Sequence, residues 1–190
     1  MRSLAAIVSF LAISIWAGVS RSADVGDTVP EFTCLDDRGQ LWNSRDHLGK
    51  GPLVIYFYPS DFAFCCTRQA RCYRDGQNAL ATQNAVVIGI SGDAVQAHRL
   101  FKATNDLDFT LLSDGDGSVA RMFDVPLRDG GKAMAVDTNG QTVPIPRKFT
   151  AARWTFIIGI DGRILYRDTG ASPVKDSHTV LEFLRNEKAE

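Results

Sequence analysis

The residues Tyr56-Phe57-Tyr58-Pro59-Ser60-Asp61-Phe62-Ala63-Phe64-Cys65-Cys66-Thr67 set two thiols between an apolar run of strand length and the start of a helical pattern. That is a place where sulfur becomes reactive. The thiolate is the nucleophile, and unpaired first-turn N–H groups, with the positive end of the helix dipole, favour it over the thiol. Elsewhere in a chain a cysteine more often behaves as a small buried hydrophobe. Cys34, in the strand-like Phe32-Thr33-Cys34-Leu35, reads that way. Cys72 lies further along the helical pattern, so three of the four cysteines crowd into eight residues, which is not a stapling framework of disulfides. His47, His98 and His178 are dispersed and lack metal-ligand spacing with the cysteines, so no metal is expected. Arg68, Arg71 and Arg74 recur every three residues as a solvated helix face, with Arg68 or Arg71 also placed to add positive field near the thiols.

The elements that must hold this stretch alternate along the chain. Leu53-Val54-Ile55-Tyr56-Phe57-Tyr58 and Val86-Val87-Ile88-Gly89-Ile90 are continuous apolar runs, as in strands buried on both faces of a sheet. Helical patterns follow both. After the second run Asp93 is the expected cap of a helix with Ala94, Ala97 and Phe101 on one face. Trp154–Ile158 and Arg163–Tyr166 flank Asp161-Gly162, a dipeptide suited to a hairpin turn, and Ser177 opens a closing helix with Val180, Leu181 and Leu184 on one face. Between Pro126 and Arg153, with Asn139-Gly140 and Pro144-Ile145-Pro146, a hairpin excursion is expected.

Arg2 precedes an apolar run from Leu4 to Val19, followed by Ser20-Arg21-Ser22-Ala23, where small residues suit cleavage after Ser22. Residues 1–22 thus read as a cleaved secretory signal. The alternative is an uncleaved anchor, although the run is shorter than the roughly 20 residues of a spanning helix. Residues 23–190 form one domain, exported to the periplasm or the extracellular space, without stable membrane association once the signal is removed. Losing Arg2 and Arg21 moves the net charge from −1 to −3, and no basic tract invites nucleic acid. A composition of 45% hydrophobic residues is ordinary for a globular core.

Strand, cysteine-bearing helix, strand, helix, hairpin and last helix is the order of a thioredoxin-like α/β fold, a central mixed β-sheet flanked by helices. Within that order the chain resembles a peroxiredoxin. The family pattern is Pro, three residues, Thr, two residues, Cys, and Pro59, Ala63 and Cys66 fall at those spacings. Thr67, Tyr73-Arg74-Asp75, Gly89-Ile90-Ser91-Gly92-Asp93 and Leu112-Ser113-Asp114 resemble the bacterioferritin-comigratory, or peroxiredoxin Q, branch. The match runs from about Val25 to the closing helix.

The resemblance implies that Cys66 is the peroxidatic cysteine, that Arg153 is the active-site arginine and that Pro59 shields the sulfur. It also implies a hydroperoxide substrate, an external thiol reductant such as a thioredoxin-like protein, no cofactor, and a monomer or weak dimer. Two departures stand out. Ala63 replaces the Thr whose hydroxyl contacts thiolate and peroxide, and a methyl group cannot donate a hydrogen bond. Arg71 occupies the position of the branch's resolving thiol, leaving Cys72, six residues after Cys66, as the candidate. In a continuous helix those sulfurs start about 9 Å apart along the axis and about 240° around it, beyond disulfide reach. The pairing needs the first turns to unwind. Cys65 would close a strained vicinal ring, and no cysteine follows Cys72. Phe62 and Phe64 are expected to pack in the core, the other reading being an apolar entrance that favours organic hydroperoxides. Two further classes stay open: an exported thiol–disulfide oxidoreductase, although Cys-x-x-Cys is missing, and a catalytically weakened thioredoxin-like module, for which Ala63 speaks.

Overall fold

The apolar runs and amphipathic stretches build a seven-stranded mixed sheet in the computed structural model, which describes residues 23–136 and 141–188. In chain order the elements are β1 (Thr33–Asp36), β2 (Leu41–Asn43), β3 (Leu53–Phe57), α1 (Phe64–Thr82), β4 (Val86–Ser91), α2 (Val95–Asn105), β5 (Thr110–Ser113), α3 (Ser118–Met122), β6 (Leu127–Asp129), β7 (Lys132–Val136), β8 (Thr142–Pro146), β9 (Phe149–Ala151), β10 (Trp154–Ile158), β11 (Ile164–Asp168) and α4 (Asp176–Glu187). The sheet order is β11-β10-β3-β4-β5-β1-β2. β3, β4 and β5 run parallel, while β10 joins β3 antiparallel. The thioredoxin-like mixed sheet expected from the sequence is therefore present.

β3 is a central strand buried along its whole length, which is why its sequence shows no polar alternation. Its side chains still alternate in space. Val54, Tyr56 and Tyr58 enter the core shared with α1, α2 and α4, whereas Leu53, Ile55 and Phe57 enter the opposite core with Trp42, Phe123 and Phe156. Gly89 pairs with Tyr56 across β3 and β4, and a Cβ there would lie 2.7 Å from the tyrosine ring. Its absence admits that ring, which stacks on Tyr73 of α1 with 4.7 Å between centroids.

Asp161-Gly162 does lie in the β10–β11 connection, with Gly162 at φ +78. Residues 126–136 and 141–153 form the expected excursion as two nested ribbons, β6 with β9 and β7 with β8. Asn139-Gly140 and residues 1–22 lie outside the described residues. Two boundaries differ from the sequence reading. α4 opens at Asp176, one residue before Ser177. α2 starts at Val95 without a side-chain cap, because Asp93 turns the other way: its Oδ2 accepts from the Asp61 N–H and the Ser91 hydroxyl, both at 2.8 Å.

Candidate active site

The parallel β3–β4 pair ends beside the start of α1, and the turn Pro59–Ala63 carries the chain from sheet to helix. Cys66 is the third residue of α1 and is only 2% exposed, whereas Cys65 is on the surface. Rotation of about 100° per residue explains how neighbouring thiols meet opposite environments. Arg153 stands immediately before β10, the antiparallel neighbour of β3, and its Nη2 donates to Cys66 Sγ at 3.2 Å. Sheet pairing thus joins residues 87 positions apart in sequence. Pro59 is half-buried at the head of the turn whose Ser60 backbone N–H serves the same sulfur.

Burial pushes the Cys66 thiol up and is the largest influence on it. The Arg153 guanidinium pulls it down by charge and hydrogen bond, the Ser60 N–H adds to that pull, and Asp61 opposes it. The balance is upward, so burial outweighs the donors that favour the thiolate. Ala63 occupies the N-cap of α1 with extended backbone and offers no side-chain acceptor. Phe64 is 79% exposed, so only Phe62 fulfils the core reading, its ring meeting Phe101 edge-on at 5.2 Å. A helix turns Phe64 outward because its buried face is already taken by Cys66, Gln69, Ala70 and Tyr73.

All four cysteines are free. α1 runs unbroken through Cys66 and Cys72, so the structure does not bring that pair together. Cys72 borders an outer cavity of about 390 Å³ with Phe64, Arg68 and Arg71. Arg71 and Arg74 do more than face solvent, donating to the Asn105 side chain and carbonyl. Cys34 donates to the Ser113 carbonyl at 3.1 Å, and burial pushes its thiol up to about 12.

The AhpC/TSA family model matches residues 25–167. The chain belongs to that family. A chloroplastic peroxiredoxin Q of Sedum lineare is 37% identical over 132 residues, covering 67% of this chain and 68% of the relative. The crystal structure of peroxidoxin BcpB from Mycobacterium tuberculosis superposes with a TM-score of 0.70 at 31% identity, over 85% of this chain and 96% of that one. The bacterioferritin comigratory protein of Xanthomonas campestris, solved in work on its alkyl peroxide reduction activity, gives 0.67 at 26% identity, over 82% and 91%. This peroxiredoxin is accordingly a thiol peroxidase on a thioredoxin-like fold.

Two groups around its thiol escaped the sequence reading. Arg153 Nη1 donates to Gln69 Oε1, and Gln69 Nε2 donates to Asp176 Oδ2 at 2.6 Å. Tyr73 and Thr155 hydroxyls reach the same oxygen at 2.8 and 2.9 Å. Burial pushes the Asp176 carboxyl up, and these three donors pull it down. The closing helix thereby fixes the arginine through α1. The second group joins Asp61, within the Pro59–Ala63 turn, to His98 of α2. A lone aspartate and a lone histidine 37 residues apart carry no periodic signal; only the parallel β3–α1–β4–α2 crossover joins them.

Proposed function

We propose that Cys66 is the peroxidatic nucleophile of a thiol-dependent peroxidase acting on hydrogen peroxide or organic hydroperoxides. The observation that carries this is the 3.2 Å contact between Arg153 and a buried sulfur in the first turn of a helix. The Cys66 thiolate attacks one peroxide oxygen; the S–O bond forms as the O–O bond breaks, and the departing oxygen leaves with the electron pair. Arg153 faces both the ground-state thiolate and that developing charge, and fixed donors of this kind act without reorganisation. Protonation releases water or alcohol, leaving a Cys66 sulfenic acid. A second thiol attacks its sulfur, giving a disulfide and water, and an external thiol reductant restores Cys66. In this reading Pro59 shields the sulfur from bulk water, and Cys72 is the resolving thiol once the first turns of α1 have unwound.

The exported location also belongs to this proposal, resting on residues 1–22 with Arg2, the apolar run and the small residues at Ser20 and Ser22. Peroxide consumption by Cys66→Ser beside Cys65→Ser tests the chemistry. Activity is expected to vanish in the first and persist in the second. The reverse result would move the nucleophile by one residue.

A further inference from the structure

Asp61 and His98 are both wholly buried, and neither belongs to the peroxide chemistry described above. His98 Nε2 lies 3.1 Å from the Leu112 carbonyl oxygen, which only accepts, so Nε2 carries a proton. His98 Nδ1 lies 2.8 Å from Asp61 Oδ2, a contact that needs one more proton between nitrogen and oxygen. Whichever atom holds it, the pair is neutral as a unit. Asp61 Oδ1 is occupied by the Tyr58 hydroxyl at 2.8 Å.

Asp61 belongs to the turn that leads from β3 into the Cys66 helix. Asp61 follows Ser60, whose N–H serves Cys66, and the Asp61 charge acts against the Cys66 thiolate. The next residue, Phe62, has φ +60, a left-handed conformation that a bulky side chain adopts only under constraint from its surroundings. Two further charged groups stand at the turn, Asp93 and Arg147. Asp93, which accepts the Asp61 N–H, has Arg147 Nη1 at 3.6 Å from its Oδ1, and the same nitrogen donates to Ser60 Oγ at 2.8 Å. Arg153 faces the sulfur itself. Burial pulls the His98 imidazole down, but the Asp61 charge and hydrogen bond, the Asp93 charge and the Leu112 carbonyl together outweigh it, so the ring favours its proton.

We propose that His98 is a positioning residue of the peroxidase: its proton cancels the charge of Asp61, so that the strained Ser60–Ala63 turn can serve the Cys66 sulfur without a bare carboxylate opposing the thiolate. The proposal rests on Cys66 being the reacting thiol, and its test reads ionisation rather than turnover, so the two can fail separately.

The pH dependence of Cys66 alkylation by iodoacetamide, followed by mass spectrometry of the Cys66 peptide, is compared in the wild type, His98→Asn, Asp61→Asn and the double variant. His98→Asn leaves a bare carboxylate beside the site and moves the Cys66 midpoint up by about one pH unit, a tenfold slower alkylation below the midpoint. Asp61→Asn leaves a neutral imidazole beside a neutral amide and moves it little. The double variant removes both charges and returns the midpoint towards the wild-type value. Rescue by a second deletion in the same cluster is not what mere loosening of the turn produces. An unshifted midpoint in His98→Asn, or a double variant that keeps the single variant's shift, overturns the proposal. Where His98→Asn does not fold, His98→Gln and its Asp61→Asn double are read by the same criteria.

Discussion

Replacing Ala63 by Thr should raise the second-order rate constant with hydrogen peroxide by about a decade, roughly 1.4 kcal/mol at the transition state. Ala63 is the N-cap of α1 at φ −64 and ψ 135, a geometry that any cap residue adopts, so the new side chain enters without rearranging the backbone. Its oxygen can accept from the Cys65 or Cys66 N–H, the second and third residues of the helix, which leaves the hydroxyl proton free for the thiolate and the bound peroxide. A charge-assisted contact of this kind is worth about 1.5–3 kcal/mol, of which a decade in rate uses the lower part. The cap should independently add about 0.5–2 kcal/mol of stability, visible as a rise in melting temperature of about 2–4 °C per kcal/mol for a chain of this size. Stopped-flow reaction of the reduced protein under excess peroxide gives the rate, and Ala63→Val supplies bulk without a donor. A Thr variant that melts higher but reacts no faster than the Val variant would refute the argument, since the cap would have formed while the hydroxyl missed the sulfur.

Stoichiometric peroxide followed by peptide mapping should give a dominant Cys66–Cys72 linkage; Cys72 recovered as a free thiol beside an over-oxidised Cys66 would exclude internal resolution. Arg153→Met removes the chief downward pull on the Cys66 thiol, so the pH at which peroxide reduction reaches half its maximum should rise further, and the rate constant should fall by about two to three decades, as for loss of one oxyanion donor. A rate within a few-fold of wild type would take the guanidinium out of the chemistry. Cys34 links stability to alkaline pH. Burial pushes the folded thiol up to about 12, above its ordinary 9.0, so its contribution is complete below pH 9 and is lost as the pH rises towards 12; at about 1.36 kcal/mol per unit the full loss approaches 4 kcal/mol. Urea unfolding at several pH values should show a shallower alkaline decline for Cys34→Ala than for the wild type, and equal slopes would refute the assignment.

What could be read from the sequence followed the range of each signal. β3 and β4 were legible because strands buried on both faces leave unbroken apolar runs, and the Cys66 helix was legible because it begins where such a run stops. The Arg153 contact needed the resemblance, since nothing local marks an arginine before an ordinary strand. Asp93 misled because an aspartate before a helical pattern is a good cap by propensity, while tertiary structure spends its carboxylate on the Asp61 N–H and Ser91. Phe64 misled for a related reason: an aromatic beside a buried cysteine takes whichever side of the helix is left, and that side faces solvent. Gln69, Asp176 and the Asp61–His98 pair were invisible, because single polar residues acquire meaning only from partners that the fold brings from elsewhere.

The tie from Arg153 through Gln69 to Asp176 also bears on when the thiol becomes dangerous to its own chain. Cys66 and Arg153 are both synthesised before the segment that holds them in register, because Asp176 is the first residue of the last helix. A nascent chain that has formed the sheet but has not docked α4 holds a cysteine whose guanidinium partner is still untethered. In the proposed mechanism, the full pull of Arg153 on Cys66 therefore waits on the docking of α4.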